Sequence, residues 1–291
     1  MNSIMIKLFK STTALYVTSI ISGIFLLASL TGIGVYDNGE KVRTISESYI
    51  PDQMFPLLLV LWFLICFFVS YIDAARKMNK ILNIMFMDCN LTEYLRVYKK
   101  FFEKKLLTRL GQYHALNLST GYLSIGDNEN AWEMLSKITY FANNLSGAIN
   151  KVCYYSNLFV YYSSVNDVQN AAKCLEEMKA ALDNKKLPKA RRSEYYILYK
   201  INQFSLNMAN GNYDGCEKIF NAVFERDKLT LHKVFAKYTL GKVYMHDNRM
   251  EEAKEAFGYA ASNGGDSIYA VKSKEFLSQI EKEPYEQSNQ S

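Results

Sequence analysis

A chain of 291 residues, 49% hydrophobic and 22% charged, has room for a membrane segment and one further domain of ordinary size. Its net charge of +5 is scattered, which argues against the concentrated basic face that nucleic-acid binding needs. The five cysteines (Cys66, Cys89, Cys153, Cys174 and Cys216) are odd in number and lack Cys-x-x-Cys spacing, so they form neither a disulfide framework nor a zinc module. Isolated reduced thiols fit a domain facing a reducing compartment.

Residues 1–10 form a short tail carrying Lys7 and Lys10. From Lys10 to Asp37 no charged residue occurs for 26 positions. That exceeds the ~20 residues a helix needs to cross the hydrocarbon, so 11–36 is predicted as a first transmembrane helix. Ser19, Ser22, Gly23 and Ala28 are small residues that let helices approach in lipid. A signal peptide is the rival reading, but the apolar run is longer than a usual signal core. Residues 37–53 are read as a short external loop. A second run of 20 uncharged residues separates Asp52 from Asp73, and it predicts a second span over 54–73. Pro56 falls where a first helical turn tolerates it.

Lys7 and Lys10 precede the first span, and Arg76, Lys77 and Lys80 follow the second, against Lys41 and Arg43 in the loop. The excess of basic residues places both termini in the cytoplasm. Residues 74–90 read as a basic juxtamembrane stem, with an interfacial helix as the alternative. Arg76, Lys77 and Lys80 would lie near anionic headgroups.

From Leu91 the apolar residues recur three and four apart, the helical period, beginning with Tyr94, Leu95, Tyr98, Phe101 and Phe102. Polar turns at Gly126-Asp127-Asn128, Asn166-Asp167, Gly211-Asn212 and His246-Asp247-Asn248 separate paired helical stretches. In the last pair, Leu240-Gly241 is followed by Tyr244, Ala253, Phe257 and Ala260. Upstream, Leu118, Tyr122, Ala131, Leu135 and Ile138 repeat this order with Ser119 in the glycine position. Leu158, Tyr162, Ala171, Leu175 and Met178 repeat it again with Phe159 there. A degenerate unit has Leu206, Gly215, Ile219 and Ala222, with Asn202 where an apolar residue is expected.

These residues resemble the tetratricopeptide repeat over about residues 106–277, although the steps between units exceed its ~34 residues. The resemblance implies a solenoid of about four helical hairpins within 91–282, with a leading helix near 91–105 and a closing helix near 267–281. A generic helical bundle is the alternative. Residues 283–291 read as a disordered tail. The expected fold is all-α, a two-helix transmembrane hairpin followed by this repeat domain.

The chemistry-bearing residues give little. His114, His232 and His246 are far apart, without metal-ligand spacing. No phosphate loop, nucleophile elbow or zinc-protease motif occurs. The turn at Gly126-Asp127-Asn128 lacks the ligand pattern of a calcium loop. The basic stretch Lys185–Arg192 is read as a solvated link broken by Pro188. No catalytic, cofactor or metal residue is nominated, and the protein is expected not to be an enzyme.

Repeat domains of this kind are generally protein-interaction modules, so the resemblance implies a membrane-anchored scaffold or adaptor with the bilayer and an unidentified protein or peptide as partners. By analogy the first helix of each hairpin lines the concave face. That nominates Tyr113, Leu116, Thr120, Ser156, Val160, Lys200, Phe204, Tyr238 and Lys242. The alternatives are a subunit of an oligomeric transport or channel complex and an accessory or immunity-type membrane protein.

Overall fold

A computed structural model describes residues 17, 19–21, 23–24, 34–37, 40–44, 54–102 and 111–288. The chain divides into two compact units, Met1–Lys80 and Ile81–Ser291.

In the first unit, most of the apolar run 11–36 lies outside the described residues. The described positions between Val17 and Ile24 are helical. Trp62 Nε1 donates to the Ser19 carbonyl at 2.9 Å. The first span expected over 11–36 is strand, not helix, at 34–36: β1 (Gly34–Asp37) pairs antiparallel with β2 (Glu40–Thr44), which lies in the loop expected at 37–53. The sequence signal for the pairing is Asn38-Gly39, a strong two-residue hairpin signature.

The second apolar run and the stem are one helix, α1 (Phe55–Phe86). No proline or glycine interrupts it after Pro56, so nothing breaks the backbone at the expected boundary near Asp73. Its N-terminal half exposes large apolar side chains, among them Leu57, Val60, Leu64 and Phe68. Among the described residues, no helix is long and apolar enough to cross a membrane, so the expected pair of spans finds no support there. Lys77, expected with Arg76 and Lys80 to face headgroups, is instead buried and pairs with Asp73 at 2.5 Å. Arg76 and Lys80 are exposed.

The described part of the second unit is helical throughout. It contains the end of α1 and then α2 (Leu91–Phe102), α3 (Gly111–Ile125), α4 (Asn128–Ser136), α5 (Leu145–Ser164), α6 (Val168–Leu182), α7 (Lys189–Ala209), α8 (Cys216–Arg226), α9 (Thr230–His246), α10 (Met250–Asn263) and α11 (Ile268–Ser288). The helix α11 runs through Pro284, past the start of the expected tail, and 289–291 lie outside the described residues. The end of α1 is no free stem, because Ile81, Ile84 and Met85 are buried.

Helices α3/α4, α5/α6 and α9/α10 pack as pairs, whereas α7 packs mainly on α6 and α8 mainly on α9; similar turns follow α3, α5, α7 and α9. Each of these turns places a residue in the left-handed region just past the helix end: Gly126 (φ 82), Asn166 (φ 59), Gly211 (φ 79) and Asn248 (φ 57), with Gly215 (φ 73) a second one in the turn after α7. Glycine and asparagine are the residues that tolerate it. The next amide then reaches back five residues: Asp127 to the Tyr122 carbonyl, Asp167 to Tyr162, Asn212 to Asn207 and Arg249 to Tyr244, at 2.8–2.9 Å. That bond is the long one of the Schellman motif, and it closes all four helix ends in the same way. Asp127 and Asp167 also cap the following helix by accepting from the Asn130 and Asn170 amides, both at 3.1 Å.

Small residues set the spacing inside each pair. Ala131, Ala171 and Ala253 are fully buried. A Cβ at Gly241 would lie 2.6 Å from the Phe257 ring, so only glycine lets α9 and α10 approach this closely. Packing across these contacts supplies most of the stability of such helices.

The row of hairpins closes on itself. Asp266, just before α11, accepts from the Leu91 amide at 2.7 Å and the Thr92 amide at 2.8 Å. It thereby caps the N-terminus of α2, where free amides and the helix dipole favour a carboxylate. The Asp266 amide donates to the Cys89 carbonyl at 3.3 Å. The closing helix α11 also packs on α3.

Candidate functional site

The inner helices enclose a cavity of about 300 Å³ in the second unit. Its volume is at the lower end of the range for ligand sites. Helix α3 contributes Thr120, Leu123 and Ser124, and α5 contributes Ser156, Asn157, Phe159, Val160 and Ser163. Leu198, Ile201, Asn202 and Ser205 come from α7. Phe86 from α1, Val223 from α8, Leu231, His232 and Phe235 from α9, and Tyr269 from α11 complete it, with Asp227 at the α8–α9 link.

Two asparagines tie the inner helices together. Asn157 Nδ2 donates to Thr120 Oγ1 at 2.8 Å, to Ser119 Oγ at 3.0 Å and to the Leu116 carbonyl at 3.3 Å. Asn202 Nδ2 donates to Ser156 Oγ at 2.9 Å, and it is only 3% exposed. A buried amide needs such partners, so these bonds fix the register of α3, α5 and α7.

Asp227 and His232 form a second polar pair. His232 Nδ1 lies 2.7 Å from Asp227 Oδ2, and Asp227 Oδ1 accepts from the Leu229 amide at 2.9 Å. Burial pushes the Asp227 carboxyl up, but the hydrogen bonds from His232 and from the Leu229 and Lys228 amides outweigh it and hold it below its ordinary range. An ionised carboxylate only accepts, so His232 Nδ1 carries the proton of this bond. The His232 ring meets the Phe86 ring edge-on at 5.5 Å.

Of the nine nominated residues, the fold brings Thr120, Ser156 and Val160 into this cavity. Leu116 is buried behind it, and its carbonyl takes the bonds from Ser119, Thr120 and Asn157. The others lie elsewhere. Tyr113 is exposed in the first turn of α3 and meets the His114 ring. Lys200 donates to Gln203 at 3.0 Å and stands over the Tyr196 ring. Phe204 packs on the core formed by α8, α9 and α10. Tyr238 packs among Phe257, Tyr269 and Phe276, and burial raises its phenol to about 12. Lys242 stands over the Tyr238 ring, with its pKa lowered by burial and by Lys272.

Sequence reasoning missed Asn157, Asn202, Asp227, His232, Phe86, Phe235 and Tyr269. Two signals pointed to the site: Asn202 and Phe159 both break the repeat pattern, and both line the cavity. No group of three or more metal-binding side chains occurs among the described residues.

No family model, curated protein or solved structure matches this chain.

Proposed function

We propose that this protein is a membrane-anchored adaptor, whose tetratricopeptide-like array of four helical hairpins binds a segment of a partner protein with an anchoring side chain in the inner cavity. The observation that carries this reading is the convergence of equivalent inner helices. The helices α3, α5 and α7 present Thr120, Ser156, Asn157 and Asn202 toward one space whose remaining walls are mostly apolar. An apolar site with a few fixed polar groups suits a buried anchor whose hydrogen bonds select its orientation.

The anchoring half of the proposal rests on α1 and on the sequence before it. No helix among the described residues is long and apolar enough to span. Yet residues 53–72 carry no charge, and Leu57 and Phe68 remain 65% and 59% exposed. Leaving such side chains in water forfeits about 1.5–3 kcal/mol for each that a bilayer would bury. Both termini are proposed to face the cytoplasm.

Two measurements test the two halves. Cysteines placed at Ser46 and Ser288, in a background lacking the native five, are labelled in intact and permeabilised cells. Labelling of position 46 in intact cells and of position 288 only after permeabilisation is expected. Labelling of position 288 in intact cells overturns the topology. A photo-reactive residue at Val160 is expected to give protein adducts that vanish when Ser205→Trp fills the cavity. Adducts that are insensitive to filling, or equal to those from exposed Glu251, overturn the cavity as the site.

A further inference from the structure

Helix α7 is 21 residues long, and α8, which follows it, has only 11. The inner flank of α7 is packed: Tyr195, Leu198 and Tyr199 lie against the cluster of Val152, Met178 and Leu182. Toward its C-terminal end, Ile201, Phe204 and Met208 join the core that α8, α9 and α10 share. The outer flank of its N-terminal half is left open. Tyr196 and Ile197 are 45% and 53% exposed, and Lys189 and Ser193 are exposed beside them. At the helical period Lys189, Ser193, Tyr196, Ile197 and Lys200 form one stripe, with a phenol and an aliphatic residue between lysines.

The link into α7 extends the positive charge. Lys185 and Lys186 are exposed there, and Lys186 donates to the Asn143 carbonyl at 3.1 Å. Between Asp183 and Lys200 six basic residues stand against two acidic ones, and Glu194 is already taken up by Arg191 at 2.8 Å. Lys185 and Lys189 pair with no carboxylate among the described residues.

We propose that this face of α7 and the link before it rest on an anionic lipid surface, with Ile197 at the acyl boundary, the Tyr196 phenol among the headgroups, and Lys185 and Lys189 against their negative charges. Interfacial protein surfaces combine these three elements. A second copy of the chain, paired about a two-fold axis, sets the lysines against one another. An acidic protein segment matches the lysines but needs an apolar residue in register with Ile197, whereas a bilayer offers charge and hydrocarbon at every register. The contact goes beyond the adaptor reading, whose anchor would keep this face close to lipid.

The test places a nitroxide at Ser193→Cys in the full chain, with the native cysteines replaced, in discs of phosphatidylcholine with or without phosphatidylserine. Collision with oxygen, which concentrates in the bilayer, is compared with collision with a nickel chelate, which stays in water. Phosphatidylserine is expected to raise the oxygen-to-nickel ratio. Salt at about 1 M, where the screening length is ~3 Å, should abolish the rise. Combining Lys185→Gln with Lys189→Gln should lower the docked-to-free ratio on the order of twentyfold, about fivefold for each lysine. Lys185→Arg with Lys189→Arg should keep it, and a nitroxide at Glu251→Cys should not respond.

A ratio indifferent to phosphatidylserine overturns the proposal. Protection by an acidic peptide in neutral discs, with none from phosphatidylserine, overturns it in favour of an acidic partner segment. Protection that follows protein concentration rather than lipid charge overturns it in favour of a second copy. A chain that does not enter discs overturns the membrane anchor alone. Vesicles of the same lipids added to that chain then give the reading: protection supports the lipid face, and none overturns it.

Discussion

Asn202 on α7 donates its side-chain amide to Ser156 Oγ on α5 at 2.9 Å, with both residues buried. The bond joins two successive hairpins at the wall of the cavity, and 46 residues of chain separate its partners.

Asn202→Ala removes the donor and leaves the Ser156 hydroxyl buried without it, at an expected cost of about 1–3 kcal/mol. Pairing Asn202→Ala with Ser156→Ala removes both partners and should cost less than the sum of the single changes. Denaturant midpoints of the four proteins give the coupling. Strict additivity would show that the bond does not join the hairpins.

The cap on α2 should behave as a clasp. Asp266→Ala strips the acceptor from the Leu91 and Thr92 amides, and losing such a cap costs about 0.5–2 kcal/mol. Hydrogen exchange at those two amides should accelerate well before exchange in α5 and α6. Unchanged protection there would mean that ring closure does not depend on Asp266.

At Gly241 the close approach of α9 and α10 predicts a steric penalty. Gly241→Ala places a methyl 2.6 Å from the Phe257 ring and should lower stability by about 1–3 kcal/mol, even though alanine favours helix. Adding Phe257→Leu should recover part of the loss in thermal unfolding. A stabilised single variant would contradict the packing described for this hairpin.

Acid should weaken the domain partly through Asp227. Its folded carboxyl titrates below the ordinary value of about 3.9, which applies to the unfolded chain. The group therefore contributes stability above the unfolded value, and this is lost as pH falls through the lower, folded value. Asp227→Asn should flatten the acid limb of a stability-against-pH curve. An acid limb as steep as before would show that Asp227 is not among the groups that set it.

The repeat order was readable because its signals are local. The pattern from Leu240 to Ala260 and the turn residues Gly126, Asn166 and Gly211 depend on helix period and on tolerance of positive φ, both properties of short stretches. The β1–β2 pairing is equally local, yet the reading of 37–53 as a loop passed over the Asn38-Gly39 signal. Asn202 and Phe159 stood out only as departures from the pattern, because their partners lie on other hairpins.

Sequence by itself thus determined a helical second unit, the places of its turns and the apolar character of residues 53–72. Only the tertiary structure decided where the inner faces meet. Closure through Asp266 and Leu91 joins positions 175 residues apart. The pairing of Asp227 with His232 needed the α8–α9 link folded, and the contact of His232 with Phe86 needed the end of α1 packed beside α9. Periodicity tells a helix which face to bury, but the neighbour it meets depends on the angles accumulated over every preceding turn.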